Sequence, residues 1–430
     1  MKYYSTNKQV PLSTLKDAVL KGLADDNGLY MPERIPQLGG DFFAALHAKT
    51  LQEIASEVAV ALFGEDIPAA TLRDIVHGAL NFDIPLVKVA DNRYSLELFH
   101  GPTMAFKDVG ARFLARMMQH FTRNESVETN VLAATSGDTG SAVANGFLGI
   151  EGITVTILYP KGLVSKIQES QFTTLGQNVC ALEVEGTFDD CQRLVKQAFL
   201  DKELNAQRKL TSANSINLAR FIPQAFYYFW AWAQMPKDCE VVASVPSGNF
   251  GNLMAGLLAM RMGLPVKHFI AANNANDIFL KYLQTAKFSP RPSIATIANA
   301  MDVGNPSNFA RIMDLYGSNY ASVTADISGY SYSDAQIREV IKRTFTETGY
   351  TLDPHGACAC EALREYLETN KTPKGFFLET AHPAKFKETV DDILEADIAV
   401  PEKLQAFMSG KKQTVGMSIR YEDFRDFLLK

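Results

Sequence analysis

Hydrophobic residues along this chain keep two rhythms. Over the first ninety or so residues they recur at helical spacing: "LSTLKDAVLKGL" follows a Ser/Thr cap, and "GLYMPERIPQL" ends that pattern with glycine and proline. From about Val131 onward, short β-branched runs alternate with helical stretches. "NVLAAT" leads through a glycine turn into "GSAVANGFL", "ITVTILYP" precedes "SKIQESQFTTLG", and "VCALEVEG" precedes "DDCQRLVKQAFL". After the aromatic, helical "LARFIPQAFYYFWAWAQM" the alternation resumes in "EVVASVPSGNFGNLMAGLLAMRMG" and "VKHFIAANNAND". The segment "GFFLETAHPAKFKETVDDIL" repeats the order of strand, polar turn and helix. This alternation predicts an α/β fold: two lobes of open, parallel or mixed sheet covered by helices, behind a largely helical N-terminal extension.

Bulk properties narrow the class. At 430 residues the chain exceeds what one hydrophobic core organises. Its 47% hydrophobic and 21% charged residues exclude wholesale disorder. A formal net charge of -6 without a polybasic block argues against nucleic-acid or membrane partners. The most apolar stretch, "FIPQAFYYFWAWAQM", is too short to span a bilayer and holds Pro223 and Gln224, so a buried helix is expected. The start, "MKYYSTNKQV", has no apolar core of the secretory kind. Cys180, Cys191, Cys239, Cys358 and Cys360 are odd in number, scattered and without zinc-ligand spacing. A reduced, cytoplasmic protein without a metal is the expectation.

Three strand ends run into polar turns: "TSGDTGS" (135–141), "PSGNFGN" (246–252) and "ETAHPAK" (379–385). Ligands of open α/β sheets bind at the carboxyl ends of strands, and a glycine-rich turn opening a helix presents N–H groups to an anion. Neither GxxxxGK[ST] nor GxGxxG occurs, which leaves a phosphate outside a dinucleotide. Pyridoxal phosphate is such a ligand, and its aldehyde needs an amine. Lys107 stands where "GPTMAFKDVGAR" enters a helix whose Phe113, Leu114, Met117, Met118 and Phe121 share an apolar face. The dipole and partial burial there favour a neutral amine. A lysine on a solvated face is the plain alternative, and spacing alone does not choose between them.

Taken together, "GPTMAFKDVGAR", "TSGDTGSA", "SANSINLAR", "VPSGNFGN" and "TAHPAKF", in this order, resemble the threonine synthase family of pyridoxal-phosphate enzymes, of the tryptophan-synthase-β-like fold type II. The N-terminal "STNKQVPLSTLKDAVLKGLADDNGLYMPERIP" resembles that family's start, so the likeness spans nearly the whole chain. It implies an extension over 1–90, a large cofactor-phosphate-binding domain over 91–107 and 206–430, and a small substrate-carboxylate-binding domain over 108–205.

The resemblance also implies roles. Lys107, preceded by Phe106, carries the cofactor; Ser247, Gly248, Asn249, Phe250, Gly251 and Asn252 cradle its phosphate; Thr380 meets its ring nitrogen. Asp138 stands beside the ring oxygen, where many relatives place Asn, which leaves its protonation open. Thr135, Ser136, Gly137 and Thr139 receive the substrate's α-carboxylate. The substrate implied is O-phospho-L-homoserine, turned with water into L-threonine and phosphate by γ-elimination and β-addition. Its phosphate needs polar donors and cations, for which Asn214, Ser215, Asn217, Arg220 and Arg112 stand ready. Arg220 and Arg112 also fit plain solvated helix positions.

His100 is divided between the site and loop bracing. His355 is expected to be structural, with Asp353 and Pro354 starting a helix, and His382 to fix its turn. Glu379 replaces the small residue that more often precedes this threonine in the family. Two rivals remain: a sister dehydratase or phospho-amino-acid lyase that stops at elimination, and a non-catalytic homologue. The oligomeric state, monomer or homodimer, is left open.

Overall fold

The computed structural model describes residues 1–430 apart from 124 and 126. Its strands, in chain order, begin with β1 (Tyr3–Ser5), β2 (Tyr30–Pro32), β3 (Leu86–Ala90), β4 (Arg93–Glu97), β5 (Thr129–Ala134), β6 (Ile153–Pro160) and β7 (Val179–Val184). They continue with β8 (Lys209–Ser212), β9 (Val241–Pro246), β10 (Val266–Asn273), β11 (Ile327–Ser331), β12 (Lys374–Glu379) and β13 (Val415–Met417). The chain falls into two units, each assembled from separated segments. The first holds Met1, Met31–Phe106 and Phe221–Ala399; the second holds Lys2–Tyr30, Lys107–Arg220 and Val400–Lys430.

In the first unit six strands lie in the order β11-β10-β9-β12-β4-β3. All neighbours are parallel except β3 and β4, which run antiparallel. β9, "VVASVP", is buried at every position, as expected of a central strand covered on both faces. The helix Pro354–Thr369 packs Ala359, Cys360 and Leu363 into one apolar cluster with Val242, Ile270 and Phe377 of the sheet. Asp353 caps that helix by accepting from the N–H groups of His355 and Gly356, and Pro354 takes the first turn, as the sequence predicts. The aromatic stretch forms the helix Ala225–Gln234, with Phe226, Tyr227, Tyr228 and Phe229 all buried.

In the second unit five strands lie in the order β13-β7-β6-β5-β8, all parallel. Leu132, Leu158 and Leu182 of the sheet meet Leu194 of the helix Phe188–Leu200, and Phe424 and Leu428 near the C-terminus complete the cluster. Burying each such side chain contributes about 2 kcal/mol.

The first ninety residues are largely helical, in line with their spacing. Thr14 caps Leu15–Lys21, Thr50 and Glu53 form a capping box on Leu51–Phe63, and Ala69–Ala79 follows. These residues are shared between the two units, with the crossing at Tyr30 and Met31. Among the described residues no helix is long and apolar enough to cross a membrane.

Candidate active site

The first unit brings three strand ends side by side. β9, β12 and β4 are parallel neighbours, so their carboxyl ends open at one edge of the sheet. After β9, Ser247 is held tightly: its N–H donates to Ala272 O at 2.8 Å and its hydroxyl to Val245 O at 2.8 Å. A Cβ on Gly248 would stand 2.8 Å from Met301 Cα and 2.9 Å from Ala300 O, so only glycine lets these two backbone segments approach. Asn249 Oδ1 accepts from Ser307 N at 2.6 Å, and its carbonyl accepts from Asn308 Nδ2 at 2.9 Å. Phe250 adopts a left-handed conformation at φ 60° directly before the helix Gly251–Arg261. Such a backbone costs on the order of 1 kcal/mol for a bulky residue and marks a loop held for a purpose. Asn252 Nδ2 closes the turn on Pro246 O at 2.8 Å. Among the described residues no side chain at the N-cap closes this helix; Leu253 N–H is taken by Asn252 Oδ1 at 2.9 Å, which leaves the N–H groups of Gly251 and Asn252 to an anion.

After β12, Thr380 is almost fully buried, and among the described residues its hydroxyl has no protein partner. Its carbonyl accepts from Phe106 N–H at 2.8 Å, Ala381 bridges Ala105, and His382 N–H donates to Met104 O at 3.1 Å. The buried ammonium of Lys385 donates to Thr103 O at 2.9 Å. Together these bonds pin the chain just ahead of Lys107 to the turn that carries Thr380. His382 Nδ1 accepts from Ala384 N–H and so fixes its own turn, as expected. His100 bonds Glu97 through Nε2 at 2.7 Å, which braces the loop after β4.

In the second unit Lys107 is the first residue of the helix Lys107–Thr122 and is half-buried. Phe113, Leu114, Met117 and Met118 form its buried face, with Phe121 only partly covered. Gly110 and Gly146 set how closely this helix packs. A Cβ on Gly110 would lie 2.4 Å from Arg220 O, and one on Gly146 would lie 3.1 Å from the Ala111 carbonyl carbon.

β5 and β8 are adjacent and parallel, so "TSGDTG" and "ANSINLAR" follow neighbouring strand ends. Thr135 spends its hydroxyl inside the turn, accepting from Gly137 N–H at 2.9 Å and Gly140 N–H at 2.8 Å. Gly137 takes φ 143° and opens the helix Asp138–Phe147, again without a side-chain cap. Ser136 and Thr139 are half-buried. Asp138 is buried, and Gln168 Nε2 donates to its Oδ1 at 2.8 Å. Gln168 was not singled out in the sequence, because nothing local ties it to a residue thirty positions earlier.

The "SANSINLAR" residues separate. Asn217 is spent on the fold: its amide donates to Val19 O at 2.9 Å and Ser212 O at 3.3 Å, and its Oδ1 accepts from Ala219 N–H. Asn214 instead keeps a buried Oδ1 without a partner among the described residues. Ser215 is half-buried. Arg220 is buried, donates to Ala213 O at 2.8 Å, and has its pKa pushed down to about 10 by burial, against the pull of Asp108. Burial likewise lowers Arg112, again opposed by Asp108. One turn on, Arg116 is held to about 10 by burial and by the like charge of Arg112. Arg116 escaped the sequence reading because an i, i+4 pair of arginines reads equally well as a solvated stripe.

Within the first unit, an uncapped helix start with a glycine no Cβ can replace and an unpartnered hydroxyl at Thr380 suit a phosphate-bearing cofactor; within the second unit, a half-buried lysine at a helix start suits an aldehyde. Comparison with known proteins agrees. Residues 93–378 match the pyridoxal-phosphate dependent enzymes, the class that this fold and these strand ends define. Residues 2–80 match the threonine synthase N terminus and 356–427 the threonine synthase C-terminal region. Threonine synthase of Haemophilus influenzae is 44% identical over 432 residues, covering 100% of both chains. The crystal structure of threonine synthase from Escherichia coli superposes with a TM-score of 0.93 at 39% identity, covering 100% of this chain and 99% of that one. The PLP-bound threonine synthase from Brucella melitensis superposes with a TM-score of 0.94 at 35% identity, over 100% and 99%. The chain belongs to the threonine synthase family, lyases that depend on pyridoxal phosphate.

Proposed function

We propose that this enzyme converts O-phospho-L-homoserine and water to L-threonine and phosphate, with Lys107 as its central residue. The observation that supports this most is the uncapped helix start after Gly248, a cradle shaped for a phosphate. The open N–H groups of Gly248, Phe250, Gly251 and Asn252 hold the cofactor phosphate, with Ser247 and Asn249 fixing their directions. Thr380 offers its hydroxyl to the ring nitrogen; a hydroxyl, unlike a carboxylate, does not hold that nitrogen protonated. When bound, the cofactor supplies the electron sink that makes the substrate's α- and β-protons acidic.

Lys107 would hold the cofactor through its amine, and that amine, when free, would serve as the base at the substrate's α-carbon. It takes the α-proton, then a proton from the β-carbon, and phosphate leaves the γ-carbon with the bonding pair. A proton returned at the γ-carbon makes the methyl group, water adds its hydroxyl at the β-carbon while its other proton goes to the departed phosphate, and a proton returned at the α-carbon completes threonine. The N–H groups at Ser136 and Thr139 orient the α-carboxylate, while the Gly137 N–H stays on the Thr135 hydroxyl and shapes that turn. Asp138, its Oδ1 held by Gln168, would face the cofactor's ring oxygen. Asn214, Ser215, Arg112 and Arg220 receive the substrate's phosphate; Asn217 supports them from the fold. Free thiols suit the cytoplasm, where we place the enzyme.

Two measurements test this. Purified protein given O-phosphohomoserine should release threonine and phosphate in equal amounts; a keto acid with ammonia would assign it to the dehydratases. Lys107→Ala should lose turnover by a factor of about 10³ or more, together with the absorbance near the visible edge. Full activity in that variant would remove Lys107 from the mechanism.

A further inference from the structure

Behind Thr380, within the first unit, lies a group of acids that no step above uses. Glu379 ends β12 with no exposed surface. Its Oε1 accepts from Asp353 N–H at 2.6 Å, whereas its Oε2 has no hydrogen-bond partner and no cation pairs with it among the described residues. The groups that bear most on its charge are acidic, and the Arg93 guanidinium of β4 lies against Cys360 Sγ at 3.9 Å. Glu97 is its register partner on β4, Asp353 and Cys360 face it from the helix Pro354–Thr369 and its cap, and Tyr350 reaches over from the preceding loop. Tyr350 donates to Glu97 Oε1 at 2.9 Å, and His100 occupies Oε2 of that same carboxylate. Burial, then the charge of Asp353, raises the Glu379 carboxyl well above the usual carboxylate range.

Space is reserved for this side chain. A Cβ on Gly356 would stand 1.5 Å from Glu379 Oε2, so the first turn of the helix has to be glycine there. Asp353, by contrast, is surrounded by donors: the N–H groups of His355 and Gly356, and His355 Nδ1 at 2.5 Å. His355 Nε2 accepts from Ala300 N–H at 3.1 Å, which places the ring proton on Nδ1, aimed at Asp353. Ala300 and Met301 are the backbone on which Gly248 rests. One run of bonds therefore links the end of β12, through Asp353 and His355, to the loop beneath the cradle.

We propose that Glu379 works as a neutral carboxylic acid, a positioning residue that ties the Thr380 turn to the Gly248 loop while adding no charge behind either. This rests on the reading that Thr380 and Gly248 hold the cofactor. An ionised carboxyl at this place would repel Asp353 and, one residue from Thr380, would favour a proton on the ring nitrogen which that hydroxyl meets.

Two readouts decide it. The first uses the full chain stripped of cofactor, with urea unfolding of wild type and Glu379→Gln followed from about pH 5 to about pH 8. A carboxyl raised in the fold contributes stability that is fully present below its unfolded pKa of about 4.3 and is lost as pH rises toward the folded value. Glutamine does not titrate. Wild type should therefore lose ground to Glu379→Gln by about tenfold in folding constant per pH unit across that window. Parallel curves would mean an ionised Glu379 and would overturn the proposal.

The second readout is pyridoxal-phosphate affinity, titrated by absorbance. Glu379→Gln should match wild type within about twofold, and Glu379→Ala, which leaves Asp353 N–H without its acceptor, should bind about tenfold more weakly. Equal weakening of both variants would also overturn it. If the alanine variant does not fold, Glu379→Asp, which withdraws the acceptor by one methylene, takes its place. Failure of the cofactor reading looks different: pyridoxal phosphate would then not bind wild type at all, while the unfolding series would still report on Glu379.

Discussion

At the scale of single residues, the same polar side chain serves either ligand or fold, and only its neighbours decide which. Asn214 and Asn217 stand three apart in one turn, yet Asn217 has every polar atom bonded while Asn214 keeps Oδ1 open. Sequence could nominate both, because short amides suit phosphates and backbone carbonyls equally well. His382 makes a comparable case on the other sheet. Burial, then the nearby His100, lowers its pKa to about 4, and its Nδ1 accepts from Ala384 N–H, as a neutral ring must. Its contribution to stability is thus fully present above the unfolded pKa of about 6.5 and is lost as pH falls toward about 4. Relative to His382→Asn, which keeps an acceptor for Ala384, wild type should lose about 3 kcal/mol across that window, read from urea midpoints at each pH. A constant difference between the two would show that the ring is not held neutral.

At the scale of elements, glycines set how near two helices or loops come, and thereby where charged groups stand. Gly110 lets the Lys107 helix touch the carbonyl of Arg220. Gly110→Ala should destabilise by about 2 kcal/mol and cost substrate affinity as well, since Lys107 and Arg112 move with that helix. Chemical unfolding and KM measured on the same variant check both; a loss of stability with KM unchanged would detach the packing from the site. Element types were legible in the chain because their signals are local. The Ser/Thr cap expected for the first helix is Thr14, Asp353 caps the helix it was expected to start, and "VVASVP" carries the continuous apolar pattern of a strand covered on both faces. Pairings were not legible. Val415–Met417 joins Leu182–Val184, and Gln168 reaches Asp138, through contacts for which no hydrophobic period exists.

At the scale of the whole molecule, each unit carries its own buried thiols, which makes their opening separately observable. Cys358 and Cys360 are buried in the first unit and Cys191 in the second, and burial raises the Cys191 thiol to about 12 and Cys360 to about 11. Alkylation in graded urea, mapped by mass spectrometry, should label the partly exposed Cys180 and Cys239 first and the buried three only as their own unit opens. Simultaneous labelling of Cys191 and Cys358 would show one cooperative transition; separate midpoints would show two. The path of the chain adds a consequence for synthesis. The second unit starts with Lys2, yet its sheet is finished by β13 at Val415–Met417, and the helix after that supplies Phe424 and Leu428 to its core. On the ribosome, this unit has to wait as an unfinished sheet with an open edge strand while the whole of Phe221–Ala399 is made. The first unit, whose last segment ends at Ala399, can close earlier, so a nascent chain would gain its cradle before it gains a settled place for Lys107.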